Sequence, residues 1–312
     1  MKQDQTIFPE NFPALSTDEA FDFYESVRGR LPIATFKNSA KAVANLGELE
    51  DEFDVFVFDA YGVLNKGLEA VPGAAHRIAA LQAAGKKAFV LTNGASFPAQ
   101  KSQDKFNRLN MSFTLDEIVP SRTAAERALL DHSEVQHWGV ISGYPLEPSD
   151  LPVPFTIVAD DLAAYNKVDG ILFLSAIGFT PQKYQCLQKA MAQNPRPLIV
   201  ANPDVVAPQQ GFFSLEPGFH SHTLADELGI EPEFQGKPFS AIYDIVVQRL
   251  PTPVAPHRIA MMGDTLHTDI LGGAAMGWRT VLVTDHGLFE GKDVRHYIEK
   301  SGIIPDFIVP NI

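Results

Sequence analysis

Carboxylates stand directly after two apolar segments of the chain. Asp59 follows the run Val55–Phe58, and Asp264 and Asp269 follow the segment 258–262. A short β-branched and aromatic run such as Val55–Phe58 is typical of a strand buried on both faces of a parallel sheet, and ligands bind beyond the carboxyl ends of such strands. Asp59 is therefore a candidate nucleophile or metal ligand, although an aspartate that caps a turn is the alternative.

The spacing of Asp264 and Asp269 favours a cation between them. Asp264 is expected at the tip of a strand and Asp269 in the first turn of the next helix, so that both point into one cleft. Asp59 would lie near them if the strands are neighbours. Carboxylates this close repel one another unless a cation sits among them. Helix capping explains one of the two residues well but both poorly.

Two further segments could hold a phosphate group. Thr92, Asn93 and Gly94 follow the apolar segment 87–91 and offer a hydroxyl, an amide and flexible backbone at the end of a strand. Lys237 lies between a glycine and a proline, on a constrained turn that is expected to be exposed. A capped strand-to-helix turn and a solvated surface lysine are the alternatives, so neither segment decides the function by itself.

Apolar strand-like segments alternate with helical patterns along most of the chain. This alternation predicts an α/β fold with a Rossmann-like core, a doubly wound parallel sheet. Residues 52–135 and 235–312 are expected to form the core, and 136–234 a large α/β cap domain inserted into it. Residues 1–51 form a predicted N-terminal helical extension, in which Ser16 and Glu19 have the spacing of a capping box.

The composition limits the partners and the compartment. A formal net charge of −13 argues against a nucleic-acid surface or an anionic membrane as partner. The single cysteine, Cys186, excludes an internal disulfide and a cysteine-based metal site. The chain has no apolar run as long as a membrane span, and it does not begin like a signal peptide. We expect a cytoplasmic enzyme.

Three histidines lie in segments of interest. His220 and His222 are expected on a loop shortly before Lys237. A loop or substrate-facing role is favoured for them over a metal site, because no third ligand of the same kind lies nearby. His267 is closer in the chain to the proposed chemistry and is a candidate for substrate contact.

The order of these motifs resembles the haloacid dehalogenase superfamily. Its four motifs are matched by Asp59-Ala60-Tyr61-Gly62-Val63-Leu64, Thr92-Asn93-Gly94, Gly236-Lys237-Pro238 and Gly263-Asp264 with Asp269. The insertion between the second and third motifs, with Asn202-Pro203-Asp204 ahead of the third, resembles subfamily IIA, the NagD-like sugar phosphatases and pyridoxal phosphate phosphatases. The resemblance extends from about residue 54 to the C-terminus, and the first fifty residues lie outside it.

The resemblance implies an Mg²⁺-dependent hydrolase that acts on a small phosphorylated metabolite, such as a sugar phosphate. Asp59 would attack phosphorus and form an aspartyl-phosphate. Mg²⁺ would be held by Asp59, the backbone carbonyl of Tyr61 and Asp264, and Asp269 would support its water shell.

The same resemblance assigns the remaining motif residues to the phosphoryl group. Thr92, Asn93 and Gly94 would hold its oxygens, and Lys237 would neutralise the nucleophile and the transferring group. The cap would close over the site and select the substrate. The subfamily pattern is also compatible with a cap-mediated homodimer.

Tyr61 departs from the pattern of the phosphatases in this superfamily. They carry a second aspartate two residues after the nucleophile, which protonates the leaving group and later activates water. A phenol has a pKa of about 10 and is a poor general base at neutral pH. General acid–base catalysis is usually worth roughly 10²–10⁴-fold, so a slower or more selective enzyme is expected.

Three functions therefore stay open at this point. The first is a phosphatase or phosphotransferase with an altered acid–base group. The second is a dehalogenase, because Asp59-Ala60-Tyr61-Gly62 resembles the nucleophile motif of the 2-haloacid dehalogenases. These enzymes need no metal, so Asp264 argues against this function. The third is a non-catalytic or regulatory protein that binds a phosphometabolite.

Overall fold

The structure, a computed structural model, describes residues 12–158, 160–209 and 211–312. The first eleven residues of the predicted N-terminal extension lie outside these ranges. In chain order the strands are β1 (Lys41–Ala42), β2 (Val55–Phe58), β3 (Asn65–Lys66), β4 (Glu69–Ala70), β5 (Lys87–Thr92), β6 (Ile118–Pro120), β7 (Trp138–Ile141), β8 (Phe155–Ile157), β9 (Gly170–Phe173), β10 (Leu198–Val200), β11 (Val206–Pro208), β12 (Phe213–Leu215), β13 (Glu233–Phe234), β14 (Ile259–Gly263), β15 (Arg279–Val283) and β16 (Phe307–Val309).

The α-helices alternate with these strands. They are α1 (Thr17–Ser26), α2 (Ala74–Ala83), α3 (Ala99–Arg108), α4 (Ser121–Asp131), α5 (Leu162–Tyr165), α6 (Pro181–Gln193), α7 (Pro217–Leu228), α8 (Ser240–Arg249), α9 (Leu271–Ala275) and α10 (Val294–Ser301). A π-helical turn, Leu266–Ile270, leads into α9. Among the described residues, no helix has both the length and the apolar character needed to cross a bilayer.

The larger sheet has seven strands in the order β1-β16-β15-β14-β2-β5-β6, and all of its neighbouring pairs are parallel. Strand β2 lies inside it, between β14 and β5. Phe56 and Phe58 pack in the cluster that includes α2, whereas Val55 and Val57 pack in the cluster that includes α8. Because helices cover both faces, every position of β2 must be apolar, which explains its unbroken hydrophobic run.

The second sheet is built from the middle of the chain. Its five strands run in the order β13-β10-β9-β7-β8, all parallel, and all lie between Trp138 and Phe234. Strands β11 and β12 pair antiparallel beside it. The predicted fold class is confirmed: a Rossmann-like parallel core carries a second α/β unit.

The segment before β2 is only partly helical. Helix α1 begins with the predicted capping box, in which Glu19 N–H donates to Ser16 Oγ at 3.3 Å and Ser16 N–H donates to the Glu19 carboxylate at 2.8 Å. Strand β1 instead joins the core sheet beside β16, in the stretch expected to be a helical extension. A two-residue edge strand is too short to produce a periodic sequence pattern, so it could not be predicted.

Helix α1 contacts both units. Phe21 and Tyr24 are buried against core residues such as Leu266 and Leu271. The Tyr24 hydroxyl accepts a hydrogen bond of 3.0 Å from the backbone N–H of Val205, directly before β11 in the second unit. The N-terminal segment therefore covers the core and also joins it to the inserted unit.

Candidate active site

The sheet register brings the ends of three strands to one place. Phe58 pairs with Met262 on one side and with Val90 on the other. The residues that follow these positions, Asp59, Asp264 and Thr92, therefore stand at the same carboxyl edge of the sheet. All three line one cavity of about 290 Å³.

Lys237 joins two carboxylates at this edge. Its Nζ lies 2.6 Å from Asp59 Oδ1 and 2.7 Å from Asp269 Oδ1. Although Lys237 was expected on an exposed turn, its side chain is 1% exposed. Burial opposes its charge, but the carboxylates of Asp269 and Asp59 more than offset this effect and raise the pKa of Lys237. The lysine is therefore held as a cation next to the proposed nucleophile.

Asp264 is fixed by short contacts on both of its oxygens. Its Oδ1 accepts from the Thr265 hydroxyl at 2.9 Å and its Oδ2 from the Leu288 N–H at 2.8 Å. Gly62 has a φ of +77°, and a Cβ at this position would lie 2.5 Å from Asp264 Oδ2. A Cβ on Gly287 would come even closer, at 2.0 Å. The turns that carry these glycines thus leave room only for the carboxylate.

The side chain of Asn93 braces Lys237 instead of lining the cavity. Its Oδ1 accepts from the Lys237 N–H at 2.7 Å, and its Nδ2 donates to the Lys237 carbonyl at 2.9 Å and to Asp204 Oδ1 at 2.8 Å. These bonds use both N–H donors of the amide, which departs from the expectation that it holds phosphoryl oxygens. Thr92 and Gly94, by contrast, line the cavity, and the Gly94 N–H donates to Thr92 Oγ1 at 3.2 Å.

The inserted unit supplies the opposite wall of the cavity. Asn202, Asp204 and Glu216 line it, together with residues of β11 and β12. Burial, with the nearby charges of Asp59 and Asp269, raises the pKa of Asp204 well above its usual range, although Lys237 and Asn93 oppose the shift. The sequence predicted for Asn202-Pro203-Asp204 only that it belongs to the subfamily pattern. In the structure, Asp204 also contacts the core, because it accepts a hydrogen bond from Asn93.

Glu216 is a cavity residue that the sequence did not indicate. It precedes Pro217 at the start of α7, where an acidic residue usually marks only a helix start. Its Oε1 accepts from the Ser214 hydroxyl at 2.6 Å and its Oε2 from Asn202 Nδ2 at 3.0 Å. Burial raises its pKa to about 7, and the Ser214 hydrogen bond opposes the rise.

Tyr61 lies on the core wall of the same cavity. Burial raises the pKa of its phenol above the usual range, and the negative charges of Glu216 and Asp59 add to the shift. The phenol therefore stays protonated at neutral pH and is a poor general base.

The three histidines do not lie where they were expected. His220 and His222 are in α7 and not on a loop, and their exposed fractions are 2% and 1%. Burial lowers their pKa values to about 3 and about 4, so both are neutral core residues. The ring of Phe179 lies 5.0 Å from that of His220, and the ring of Phe234 stacks on His222 at 4.3 Å, so packing against other elements of the fold buries both.

His267 is also buried, away from the cavity. Its ring lies 4.9 Å from the Tyr24 ring in a stacked arrangement and 5.2 Å from the Phe21 ring. Its Nε2 lies 2.5 Å from Glu25 Oε1. Since helix α1 covers His267, the expected substrate contact is wrong.

The acidic residues fit a divalent cation. One ligand oxygen each of Asp59, Asp264 and Asp269 lies within 4.8 Å of the others, and Asp264 and Asp269 are buried. Burial and the neighbouring carboxylates raise the pKa of Asp264 to about 8, and burial raises that of Asp269 to about 6 although Lys237 opposes it. One lysine cannot neutralise this cluster, and carboxylate oxygens are the ligands that Mg²⁺ prefers.

Comparison with known proteins agrees with this architecture. The family model described as haloacid dehalogenase-like hydrolase matches residues 56–148, and a second, described as HAD-hydrolase-like, matches residues 234–312. The human protein named glycerol-3-phosphate phosphatase is 28% identical over 294 residues, which cover 84% of this chain and 89% of that protein. A 4-nitrophenylphosphatase of Schizosaccharomyces pombe is 23% identical over 85% of this chain and 94% of its own length.

A solved structure shares the fold over nearly the whole described chain. The crystal structure of a possible sugar phosphatase from Cytophaga hutchinsonii superposes with a TM-score of 0.77, at 24% identity, over 88% of this chain and 98% of its own. The two family models leave residues 149–233, most of the inserted unit, between them, whereas the match to the human protein covers 84% of the chain. The chain therefore belongs to the haloacid dehalogenase superfamily and matches its subfamily IIA.

Proposed function

We propose that this protein is a magnesium-dependent phosphatase that hydrolyses a small phosphorylated metabolite. One observation carries the proposal: Asp59, at the tip of a central strand, faces a cavity with a buried lysine on one oxygen and two further carboxylates within 4.8 Å. The relatives named as glycerol-3-phosphate phosphatase and 4-nitrophenylphosphatase support it, because they match this chain over most of its length.

Each residue of the site has its own role in the proposed reaction. Asp59 attacks phosphorus, the bond to the ester oxygen breaks, and an aspartyl-phosphate forms, which water then hydrolyses to regenerate the carboxylate. Lys237 offsets negative charge on the nucleophile and on the transferring group, and Thr92 with the Gly94 backbone binds phosphoryl oxygens. Asp59, the Tyr61 carbonyl and Asp264 would hold Mg²⁺, with Asp269 beside it. When bound, Mg²⁺ supplies positive charge that offsets the phosphate's negative charge.

Proton transfer needs a group other than Tyr61. We assign it to Glu216, which lines the same cavity and is oriented by Ser214 and Asn202. Its carboxyl can give a proton to the departing ester oxygen and take one from the attacking water. A pKa of about 7 suits both directions at neutral pH.

The test is a screen of phosphate monoesters, alkyl and aryl, with Mg²⁺ and with a chelator in its place. We expect phosphate release that requires Mg²⁺ and is lost in Asp59→Asn. Asp54→Asn is the matched control, because Asp54 stands exposed just before the same strand, at the opposite edge of the sheet. Turnover that survives in Asp59→Asn would contradict the proposal.

A phosphometabolite-binding protein without turnover is the second candidate, and Tyr61 is the observation that favours it. Binding of phosphate esters without release of phosphate from any of them would support this candidate. The dehalogenase function is not proposed, because a cluster of acidic residues beside the nucleophile has no role in a metal-free displacement of halide.

A further inference from the structure

A second cavity adjoins the catalytic one. It has a volume of about 500 Å³ and lies between α3 and the inserted unit. The two cavities share part of their lining: Tyr61, Thr92, Gly94, Ser96, Ile177 and Gln209. A substrate whose phosphate reaches Asp59 can therefore extend past Tyr61 into this second space.

Lys105 is the central charged group of the second cavity. Its Nζ lies 4.5 Å from the centroid of the Tyr61 ring and donates to Asn65 Oδ1 at 2.9 Å. Among the described residues, no carboxylate lies within 4.0 Å of this Nζ, in contrast to Lys237. Burial lowers the pKa of Lys105 to about 8, the charge of Asp59 opposes this shift, and that of Arg108 adds to it.

A half-buried ammonium group with only a neutral hydrogen-bond partner is unusual. Lysine is rarely buried without an acidic partner in direct contact, and only the more distant charge of Asp59 offsets the desolvation of Lys105. Helix α3 also contributes Lys101 and Arg108 to this cavity, one turn on either side of Lys105, against a single carboxylate, that of Asp104. This local excess of positive charge occurs in a chain whose formal net charge is −13. Such a cavity is suited to an anion.

We propose that Lys105 binds a second anionic group of the substrate, so that the substrate is a phosphate monoester whose alcohol carries a carboxylate or a second phosphate. This inference rests on the proposed function, since it concerns the substrate of the same site. The phosphate to be removed occupies the Asp59 cavity, and the second anion lies beyond the Tyr61 ring, against the ammonium group of Lys105. Sugar and alcohol phosphates whose alcohol part is uncharged, here called neutral esters, lack this contact.

The experiment compares esters that differ in one group. 3-Phosphoglycerate is compared with glycerol 3-phosphate, and propane-1,3-diol bisphosphate with 3-hydroxypropyl phosphate, by kcat/KM in the full-length protein with Mg²⁺. We expect the anionic member of at least one pair to be preferred by about 10- to 100-fold, the usual range for a hydrogen bond to a charged group. The pair that shows the preference identifies the second anion as carboxylate or phosphate.

Variants then assign the preference to the residue. Lys105→Met should remove the preference with a change of less than about threefold on the neutral esters, and Lys105→Arg should retain most of it. Lys87→Met removes the same charge from the exposed start of β5, at the opposite edge of the sheet, and should change nothing. Equal losses on charged and neutral esters in Lys105→Met, or a wild type without preference, would overturn the inference.

Calorimetry separates this inference from the proposed function. Binding of the same esters to Asp59→Asn measures the charge preference without turnover. A wild type that hydrolyses no ester, while Asp59→Asn still prefers the anionic member and loses that preference with Lys105→Met, would overturn the proposed function alone. A wild type that hydrolyses both members of each pair equally would overturn the Lys105 inference alone.

Discussion

Asn93 is hydrogen-bonded to both the backbone N–H and the backbone carbonyl of Lys237, at 2.7 and 2.9 Å. These two residues belong to motifs 144 positions apart in the chain. The paired bonds fix the backbone from which the Lys237 side chain reaches Asp59 and Asp269. Since Asn93 Nδ2 also donates to Asp204, the same amide joins the lysine turn to the inserted unit.

Removing the charge of Lys237 should cost both stability and activity. Lys237→Met leaves the carboxylates of Asp59 and Asp269 buried without their cation, and breaking a buried ion pair from one side typically costs about 3–5 kcal/mol. We expect a fall of this size in the free energy of unfolding, measured with urea in the presence of a chelator, and loss of phosphatase activity. Mg²⁺ should restore part of the stability, because a cation that binds only the native state stabilises it.

Lys87→Met provides the comparison for this experiment, since it removes an exposed lysine from the same sheet. An unfolding free energy for Lys237→Met that equals that of Lys87→Met in chelator would mean that the buried carboxylates are not destabilised. In that case the charge argument for this site would be wrong.

Binding of Mg²⁺ should depend on Asp264. We expect titration calorimetry to show one Mg²⁺ site in the wild type and none in Asp264→Asn, because the amide provides one neutral oxygen where the carboxylate provided a charge. Asp285→Asn, an exposed position shortly after β15 at the same edge of the sheet, should bind Mg²⁺ as the wild type does. Undiminished binding in Asp264→Asn would place the metal elsewhere.

Much of this site followed from the sequence because parallel sheets place all strand carboxyl ends at one edge. Asp59, Thr92 and Asp264 each come directly after, or at the end of, an apolar run, and the register then had to bring them together. The burial of Lys237 was not predictable in this way. A lysine between glycine and proline looks exposed, and only the bonds from Asn93 and two carboxylates compensate its burial.

The sequence also did not indicate the cavity residues whose position depends on contacts between the core and the inserted unit. Glu216 and Lys105 each belong to a helical pattern that explains them locally, as a helix start and as a polar surface position. Their placement in the cavities depends on how the inserted unit sits over the core, about which neither periodicity nor spacing carries information. The buried His220 and His267 were misassigned likewise, because tertiary packing overrides local pattern.

The contact between His132 and Glu233 should make stability depend on pH. Both ring nitrogens of His132 lie 2.8 Å from a carboxylate oxygen, Nε2 from Glu233 on β13 and Nδ1 from Glu134. The hydrogen bond to Glu233, and then that to Glu134, raise the pKa of His132 against the effect of burial. Only the imidazolium can donate to both carboxylates.

The direction of the pH effect follows from the raised pKa. A group whose pKa is higher in the folded state contributes its full stabilisation below its unfolded pKa, here about 6.5, and loses it as the pH rises through the folded value. The melting temperature of the wild type should therefore exceed that of His132→Gln most at about pH 5.5 and least at about pH 8.5. A difference that does not change over this range would show that the histidine contributes only through packing.

Tyr61→Asp and Glu216→Gln together test how protons are supplied. An alkoxide needs a proton as it leaves, whereas a nitrophenolate needs little help. With Glu216 as the acid, Glu216→Gln should lower hydrolysis of alkyl phosphates by roughly 10²-fold or more and change that of p-nitrophenyl phosphate much less. Equal losses on both classes of ester would indicate that Glu216 is structural.

Tyr61→Asp places a carboxyl group two residues after Asp59, the position at which the resemblance to the superfamily predicts the acid. Relative to Glu216→Gln alone, the double variant should hydrolyse alkyl phosphates faster, by up to the roughly 10²–10⁴-fold that acid–base help is worth if the smaller side chain is seated properly. In the Tyr61→Asp protein, Glu216→Gln should have little effect, because the proton no longer comes from the inserted unit. Initial rates of the four proteins on one alkyl and one aryl ester measure this dependence directly. Additive effects of the two changes in the double variant would mean that the two carboxyl groups do not share one role.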